Sequence, residues 1–344
     1  MKKKLLIIGS SQGVYGGIEA FMMAISNEAE KWNEFEVRLC FKLKDLKNKS
    51  DILEKLANEN SSSVHFVKKN SFELYKLILW SDVLHVQNMP PDIVYPSFLL
   101  RKKVFLTVHN RKFKSKSILQ YLWVLASKLA TKRWYNSDFV WNSWEPNTKK
   151  ANSACIPTVC NLSTTEVDCE KRKGFVFAGR WIENKGIEEL ILAYNKSKLS
   201  PAKWPLTIIG DGPIKNKIMN MISNADVEIH TTGFVSNELK TEIMSKSKWL
   251  VAPANTNEDL GLTPIEARSM GVPSIVTDDG GLTQAAGLYA LVAIPGDVDS
   301  LLSCILEAAQ MNEEEYNFIS KRSKETLSDL IKPITFYKNE FLNS

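Results

Sequence analysis

Residues 250–281 read LVAPANTNEDLGLTPIEARSMGVPSIVTDDGG and hold two glutamates, Glu258 and Glu266, with seven residues between them. An apolar strand over 248–252 leads into a polar loop that carries Glu258, and Thr263-Pro264 predicts an N-cap and a first-turn proline for the helix that Glu266 begins. A loop carboxylate and a helix carboxylate therefore flank one helix start. The amides of Gly261, Leu262 and Thr263 are expected to point into the same space, where orphan donors and the helix dipole attract phosphate. Carboxylates grip sugar hydroxyls and amides hold a diphosphate, so this stretch reads as a nucleotide-sugar site. Two plainer readings stand beside it. Thr263-x-x-Glu266 has the form of a capping box, in which Glu266 only reaches back to the Thr263 amide, and Glu258 has the form of a solvated loop acid.

A second cluster lies upstream. In Phe175-Val-Phe-Ala-Gly-Arg-Trp-Ile-Glu-Asn-Lys-Gly186 a strand ends at Gly179-Arg180 and a helix begins after Lys185-Gly186. Two cations thus sit at the carboxyl end of a strand, where open α/β sheets bind ligands. Arginine offers a rigid fork and lysine a mobile point charge, a pair suited to a diphosphate leaving group.

With the E-x7-E pair and the Phe177-Ala-Gly-Arg180 to Lys185-Gly-Ile187 block go three further segments in order: the Gly210-Asp-Gly-Pro213 turn, Thr232-Gly-Phe-Val235 and Gly271-Val-Pro-Ser-Ile-Val276. Together these resemble the retaining glycosyltransferases of family 4 (group 1 type), most closely in the C-terminal half. The resemblance implies an α/β protein of the GT-B fold, two Rossmann-like domains facing each other across a cleft. It also implies that Arg180 and Lys185 stabilise the departing diphosphate, that Glu258 holds the donor sugar and Glu266 the ribose, and that His109, in Leu106-Thr-Val-His-Asn110, contacts the sugar near its reacting carbon. In Gly9-Ser-Ser-Gln-Gly-Val-Tyr-Gly-Gly-Ile-Glu19 it places Gly16 and Gly17 against the donor phosphate, since glycine has no Cβ to hold the backbone off.

The length, 344 residues, exceeds what one core usually absorbs and predicts two α/β domains. Apolar strands are expected at 5–8, 36–40, 64–67, 83–86, 104–108 and 139–142, then at 175–178, 206–209, 228–231, 249–252 and 274–276, alternating with helical segments as in a parallel sheet. Residues 156–173 hold the best boundary: an N-terminal domain over 1–162 for the acceptor and a C-terminal nucleotide-sugar domain over 163–329. By resemblance, a helical tail over 330–344 packs back on the first. Five cysteines, Cys40, Cys155, Cys160, Cys169 and Cys304, make no CxxC pair and read as reduced thiols. The start, Met1-Lys-Lys-Lys-Leu-Leu-Ile-Ile-Gly9, has too few apolar residues for a secretory core, and no apolar run reaches the roughly 20 residues of a membrane span. The expected location is the cytoplasm.

Other chemistries fit less well. The first loop has G-x3-G-x2-G spacing, not the dinucleotide fingerprint G-x-G-x-x-G, and no acid closes the second strand. Tyr194 and Lys198 have a dehydrogenase spacing but lie far from that loop. Asp297-Val-Asp299 has the form of a metal-binding Asp-x-Asp, yet it directly precedes an amphipathic helix that it serves as cap and first-turn charge. No metal and no cofactor are expected, only a UDP- or GDP-linked sugar donor. His85 reads as a hydrogen-bonded core or cleft-wall residue, and His65 and His230 as structural.

The net charge of +5 is unevenly spread. Residues 93–137 contain no Asp or Glu and ten cations: Arg101, Lys102, Lys103, Arg111, Lys112, Lys114, Lys116, Lys128, Lys132 and Arg133. Phe98, Phe113, Tyr121, Trp123, Trp134 and Tyr135 are interleaved. Cations for headgroups with aromatics for the interface predict a surface lying on anionic lipid, the inner face of the cell membrane; an ordinary solvated face is the plainer reading, and no nucleic-acid recognition motif is present. The expected function is metal-independent, retaining transfer of a hexose or N-acetylhexosamine to a lipid-linked saccharide in bacterial surface polysaccharide synthesis, such as O-antigen, capsule or lipopolysaccharide. A GT-B sugar-nucleotide epimerase and a non-catalytic nucleotide-sugar-binding subunit are the alternatives.

Overall fold

A computed structural model describes residues 2–113, 117–159, 162 and 168–343. Lys114, Lys116, Cys160 and most of the boundary segment over 160–167 lie outside the described residues. The chain divides into two compact units, Met1–Asn161 with Ile331–Ser344, and Leu162–Leu330.

The first unit is built on seven parallel strands: β1 (Lys3–Ser10), β2 (Phe35–Leu43), β3 (Ser63–Lys68), β4 (Val83–Gln87), β5 (Lys103–Val108), β6 (Lys132–Tyr135) and β7 (Ser153–Cys155). Their order is β3-β2-β1-β4-β5-β6-β7, so chain direction across the sheet reverses between β1 and β4. Consecutive apolar residues in β1 are explained by cover on both faces. Leu5 and Ile7 join a core with Phe21, Ile25 and Leu53, from the helices Gly17–Ala29 and Asp51–Asn58. Leu6 and Ile8 join another with Leu74, Ile93 and Ala126, from the helices Phe72–Trp80, Pro91–Leu99 and Ile118–Lys128. The terminal helix Thr335–Leu342 adds Tyr337 and Phe341 to the first of these cores.

The second unit has six parallel strands: β8 (Lys173–Ala178), β9 (Leu206–Ile209), β10 (His230–Gly233), β11 (Ser247–Ala252), β12 (Ser274–Thr277) and β13 (Leu291–Ala293). The order is β10-β9-β8-β11-β12-β13, with the reversal between β8 and β11. Phe175, Leu206, Trp249 and Ile275 fill one face, and Val176, Leu250 and Val272 the other.

The sequence reading is corrected in several places. Residues 139–142 are not a strand but part of the helix Asp138–Trp144, because the Ser137 hydroxyl accepts the Val140 amide at 3.1 Å and caps a run too short for its period to show. The expected strand at 228–231 is shifted to His230–Gly233. The strands β6, β7 and β13 were not anticipated. In β6 the charged pair Lys132-Arg133 hid the strand: Arg133 is buried against Glu145 at 3.4 Å, and Lys132 pairs with Glu340. Trp134 and Tyr135 of the same strand are core residues, which removes both from the expected interfacial aromatics. No helix among the described residues is long and apolar enough to cross a membrane.

Candidate functional site

Parallel order brings the carboxyl ends of all six strands of the second unit to one edge, and the reversal between β8 and β11 leaves the loops after these two strands free to diverge around a ligand. The loop after β8 is anchored by its neighbour. The Trp181 amide donates to Asp211 O at 2.9 Å, and the Gly179 amide to Ile209 O at 3.1 Å. Arg180 between them is exposed, and its side chain makes no ion pair or hydrogen bond among the described residues. Three residues on, Glu183–Lys185 form a single 3-10 turn. It ends at Gly186, whose φ of +70° is left-handed and whose missing Cβ would stand 1.8 Å from Pro253 O. Only glycine lets the β8 and β11 loops approach this closely.

That approach joins the two loops chemically. The Lys185 ammonium lies 2.5 Å from a Glu258 carboxylate oxygen, with the side chains 27% and 22% exposed. Two residues singled out separately in the sequence are thus one ion pair at the sheet reversal, accessible to solvent from one side.

Glu258 is itself held by a residue that sequence reasoning missed. Buried Asp279, just after β12, accepts the Asn257 amide on one oxygen and the Glu258 amide on the other, each at 2.6 Å. The Gly281 amide then donates to Glu258 O at 2.7 Å, and a Cβ on Gly280 would meet that same oxygen at 2.0 Å. The available signal was an acid before a double glycine at a strand end. Because charge-assisted bonds contribute about 1.5–3 kcal/mol each, Asp279→Ala should destabilise the protein by roughly 3 kcal/mol, read by urea unfolding. Asp279→Asn, which keeps one acceptor oxygen, should recover about half of that loss; equal stability of all three proteins would show that the clamp contributes nothing.

The expected helix start is corrected. The helix spans Leu262–Ser269 with Gly261 as its N-cap and no side-chain cap, so Thr263 and Pro264 lie inside the first turn and Glu266 in the second. The capping-box reading of Glu266 fails with it. Both Glu266 oxygens are taken by the Lys240 ammonium, at 2.9 and 2.8 Å. Lys240 had no sequence signal, being one of four charged residues in its helix, Asn237–Lys246. No protein acceptor among the described residues takes the amide hydrogens of Leu262 and Thr263. An open helix start of this kind suits an anion.

His109 belongs to the first unit, one residue beyond β5, and is buried. Its Nε2 pairs with Gln87 Oε1 at 2.8 Å and its Nδ1 with Thr158 Oγ1 at 3.5 Å. Burial pushes its pKa down to about 3, so the ring is neutral at any ordinary pH. His85 is likewise buried and neutral, bonded to Thr107 Oγ1 at 2.8 Å. Gly16 is the N-cap of the helix Gly17–Ala29, at the carboxyl end of β1. In the second unit Asp297 caps the helix Val298–Gln310 by accepting the Asp299 and Ser300 amides, while Asp299 pairs with Lys196 at 2.9 Å. Among the described residues no group of three His, Cys, Asp or Glu side chains could hold a metal ion. The Tyr194 hydroxyl is buried and donates to Trp204 O, leaving no dehydrogenase pair with Lys198, which binds Asp226.

Residues 166–326 match the family described as glycosyl transferases group 1. The match lies within the second unit, Leu162–Leu330. Arg180, Lys185, Lys240, Glu258, Glu266 and Asp279 all fall within the matched residues. The chain is 27% identical over 137 residues to an exopolysaccharide phosphotransferase of Streptomyces coelicolor, covering 39% of this chain and 14% of that protein. It is 26% identical over 134 residues to the 2-deoxystreptamine N-acetyl-D-glucosaminyltransferase of Niallia circulans, covering 38% of this chain and 34% of that one. The chain thus spans well under half the length of either curated relative. Among solved structures, Anabaena HepE in complex with UDP superposes with a TM-score of 0.80 at 14% identity, over 100% of this chain and 99% of that one. The two parallel α/β units are those of the GT-B fold, the architecture that the sequence resemblance implied.

Proposed function

We propose that the protein transfers a hexose or N-acetylhexosamine from a nucleotide diphosphate to a saccharide, with retention at the anomeric carbon and without a metal. One observation carries this reading: the Lys185–Glu258 ion pair at the sheet reversal of the glycosyltransferase domain. Near it in the chain are an exposed Arg180, unpaired among the described residues, and a helix start with open amides. HepE, which shares the fold, is solved with UDP and with UDP-glucose. Lys185 and Glu258 neutralise each other. A donor would divide the pair: the ammonium turns to the phosphate oxygens and the carboxylate to sugar hydroxyls. Arg180 and Lys185 would then stand where negative charge develops as the diphosphate departs, with the Leu262 and Thr263 amides adding their dipoles. Glu266 would take the ribose hydroxyls in place of one Lys240 contact. An acceptor hydroxyl that passes its proton to the departing phosphate needs no protein nucleophile. His109, neutral, would serve as a hydrogen-bonding group rather than an acid or base. The acceptor we assign is a lipid-linked saccharide of bacterial surface polysaccharide, on the cytoplasmic side of the membrane.

A thermal-shift series against UDP, GDP and their sugars tests the donor half. A ligand at a hundred times its dissociation constant stabilises by about 2.7 kcal/mol, several degrees for units of this size, and an unmoved transition with every nucleotide would remove the reading. Glu266→Gln should weaken nucleotide binding about tenfold or more, as expected for a lost charge-assisted bond, with unliganded stability little changed. Binding equal to wild type would leave Glu266 as a mere partner of Lys240. Transfer should persist in EDTA, and release of nucleotide without any acceptor would favour an epimerase instead.

A further inference from the structure

The helices Phe72–Trp80, Pro91–Leu99 and Ile118–Lys128 cover one face of the first unit's sheet, and each carries exposed apolar side chains on its outward side. Phe72 is 68% exposed, Leu99 79% and Ile118 81%, with Leu79, Leu119 and Tyr121 also exposed. The three surfaces are joined. The Lys102 ammonium donates to Leu79 O at 3.1 Å and Ser81 O at 2.6 Å, tying the end of the first helix beside the second, and the Tyr95 hydroxyl donates to Leu122 O at 3.0 Å, tying the second to the third. Large apolar side chains exposed together on a protein surface mark an interaction site.

Charge selects the occupant. Lys76 sits over the Phe72 ring at 4.6 Å, and Arg101, Lys103 and Lys128 are exposed around the apolar side chains. On the three helices, among the described residues, Glu73 is the exposed acid, while Asp92 is half-buried and engaged by Lys42 at 2.6 Å. A second copy docked face to face would bring cations against cations. An anionic bilayer both neutralises them and takes up the apolar side chains. We infer that this three-helix face docks on an anionic lipid surface, with Phe72, Leu99 and Ile118 entering the interface. The contact therefore reaches beyond residues 93–137 to a helix the charge pattern did not mark, and it does not use Trp134 or Tyr135.

The inference deepens the lipid-linked-acceptor reading and is tested apart from it. The full-length protein is floated with phosphatidylcholine vesicles with and without phosphatidylglycerol, at low and high salt. Wild type should float with the anionic vesicles at low salt and sink as salt rises over a screening length of about 8 Å at physiological strength. Phe72→Ser, Leu99→Ser and Ile118→Ser combined should lower partitioning at least about tenfold with circular dichroism unchanged, since membrane binding scales with the apolar area buried. Reversing Arg101, Lys103 and Lys128 to Glu should lower it at least as far, because each cation contributes about fivefold. Wild type that stays down with anionic vesicles, or an apolar triple variant that floats as well as wild type, overturns the inference. So does a dimer in sedimentation that the same triple variant dissolves. Transfer to a soluble acceptor is measured in parallel: its loss with flotation intact would indict the enzymatic reading, and its persistence with flotation absent would indict the docking face alone.

Discussion

Turnover of the sugar donor should fall by a hundred- to a thousandfold, about 3–4 kcal/mol of transition-state stabilisation, when Lys185 is replaced by alanine. Two effects act in the same direction. The departing diphosphate loses an ammonium where charge develops, and Glu258 loses its partner at 2.5 Å, leaving a carboxylate to repel the phosphates. Arg180→Ala should approach the same loss through the first effect alone, because its guanidinium has no partner to strand among the described residues. The double variant Lys185→Ala, Glu258→Gln should then bind nucleotide better than Lys185→Ala, since the uncompensated charge is gone. Initial rates with saturating donor, together with nucleotide affinity by calorimetry, separate these outcomes. Turnover within a factor of a few of wild type in both single variants would remove the leaving-group assignment.

The largest stability effect is expected from the far end of the chain. Phe341 is fully buried in the first unit, its ring 5.1 Å from Phe105 and 6.4 Å from Phe35 between centroids. Phe341→Ala should destabilise that unit by about 3–5 kcal/mol, the transfer and cavity terms of a buried aromatic. For a unit of this size the melting temperature should drop by about 10 °C, followed by near-ultraviolet circular dichroism of the tryptophan signals. An exposed aromatic on the same unit, Phe113→Ala, serves as control and should change it by less than about 0.5 kcal/mol. Equal melting of wild type and Phe341→Ala would mean that the terminal helix is not part of the core.

The amino-acid sequence alone determined the class of fold, because alternation of apolar runs with amphipathic segments is a local property that each stretch carries by itself. It also marked Arg180, Lys185, Glu258 and Glu266, since strand ends and helix starts are written in glycine, proline and charge. The misplaced elements were those in which local composition was overridden. Strand β6 is carried by Lys132-Arg133 because Glu340 and Glu145 neutralise them, from 208 and 12 positions away in the chain. Residues 139–142 are helical because the Ser137 hydroxyl caps them. Pairing was decided only by tertiary structure. Lys185 meets Glu258 because β8 and β11 are neighbours at the reversal, Asp279 reaches the loop amides because β12 lies next to β11, and Lys240 reaches Glu266 from a separate helix. The physical reason is range: a turn or cap is specified within about four residues, whereas an ion pair across strands depends on which strands share an edge, and that order is set by packing of the whole sheet.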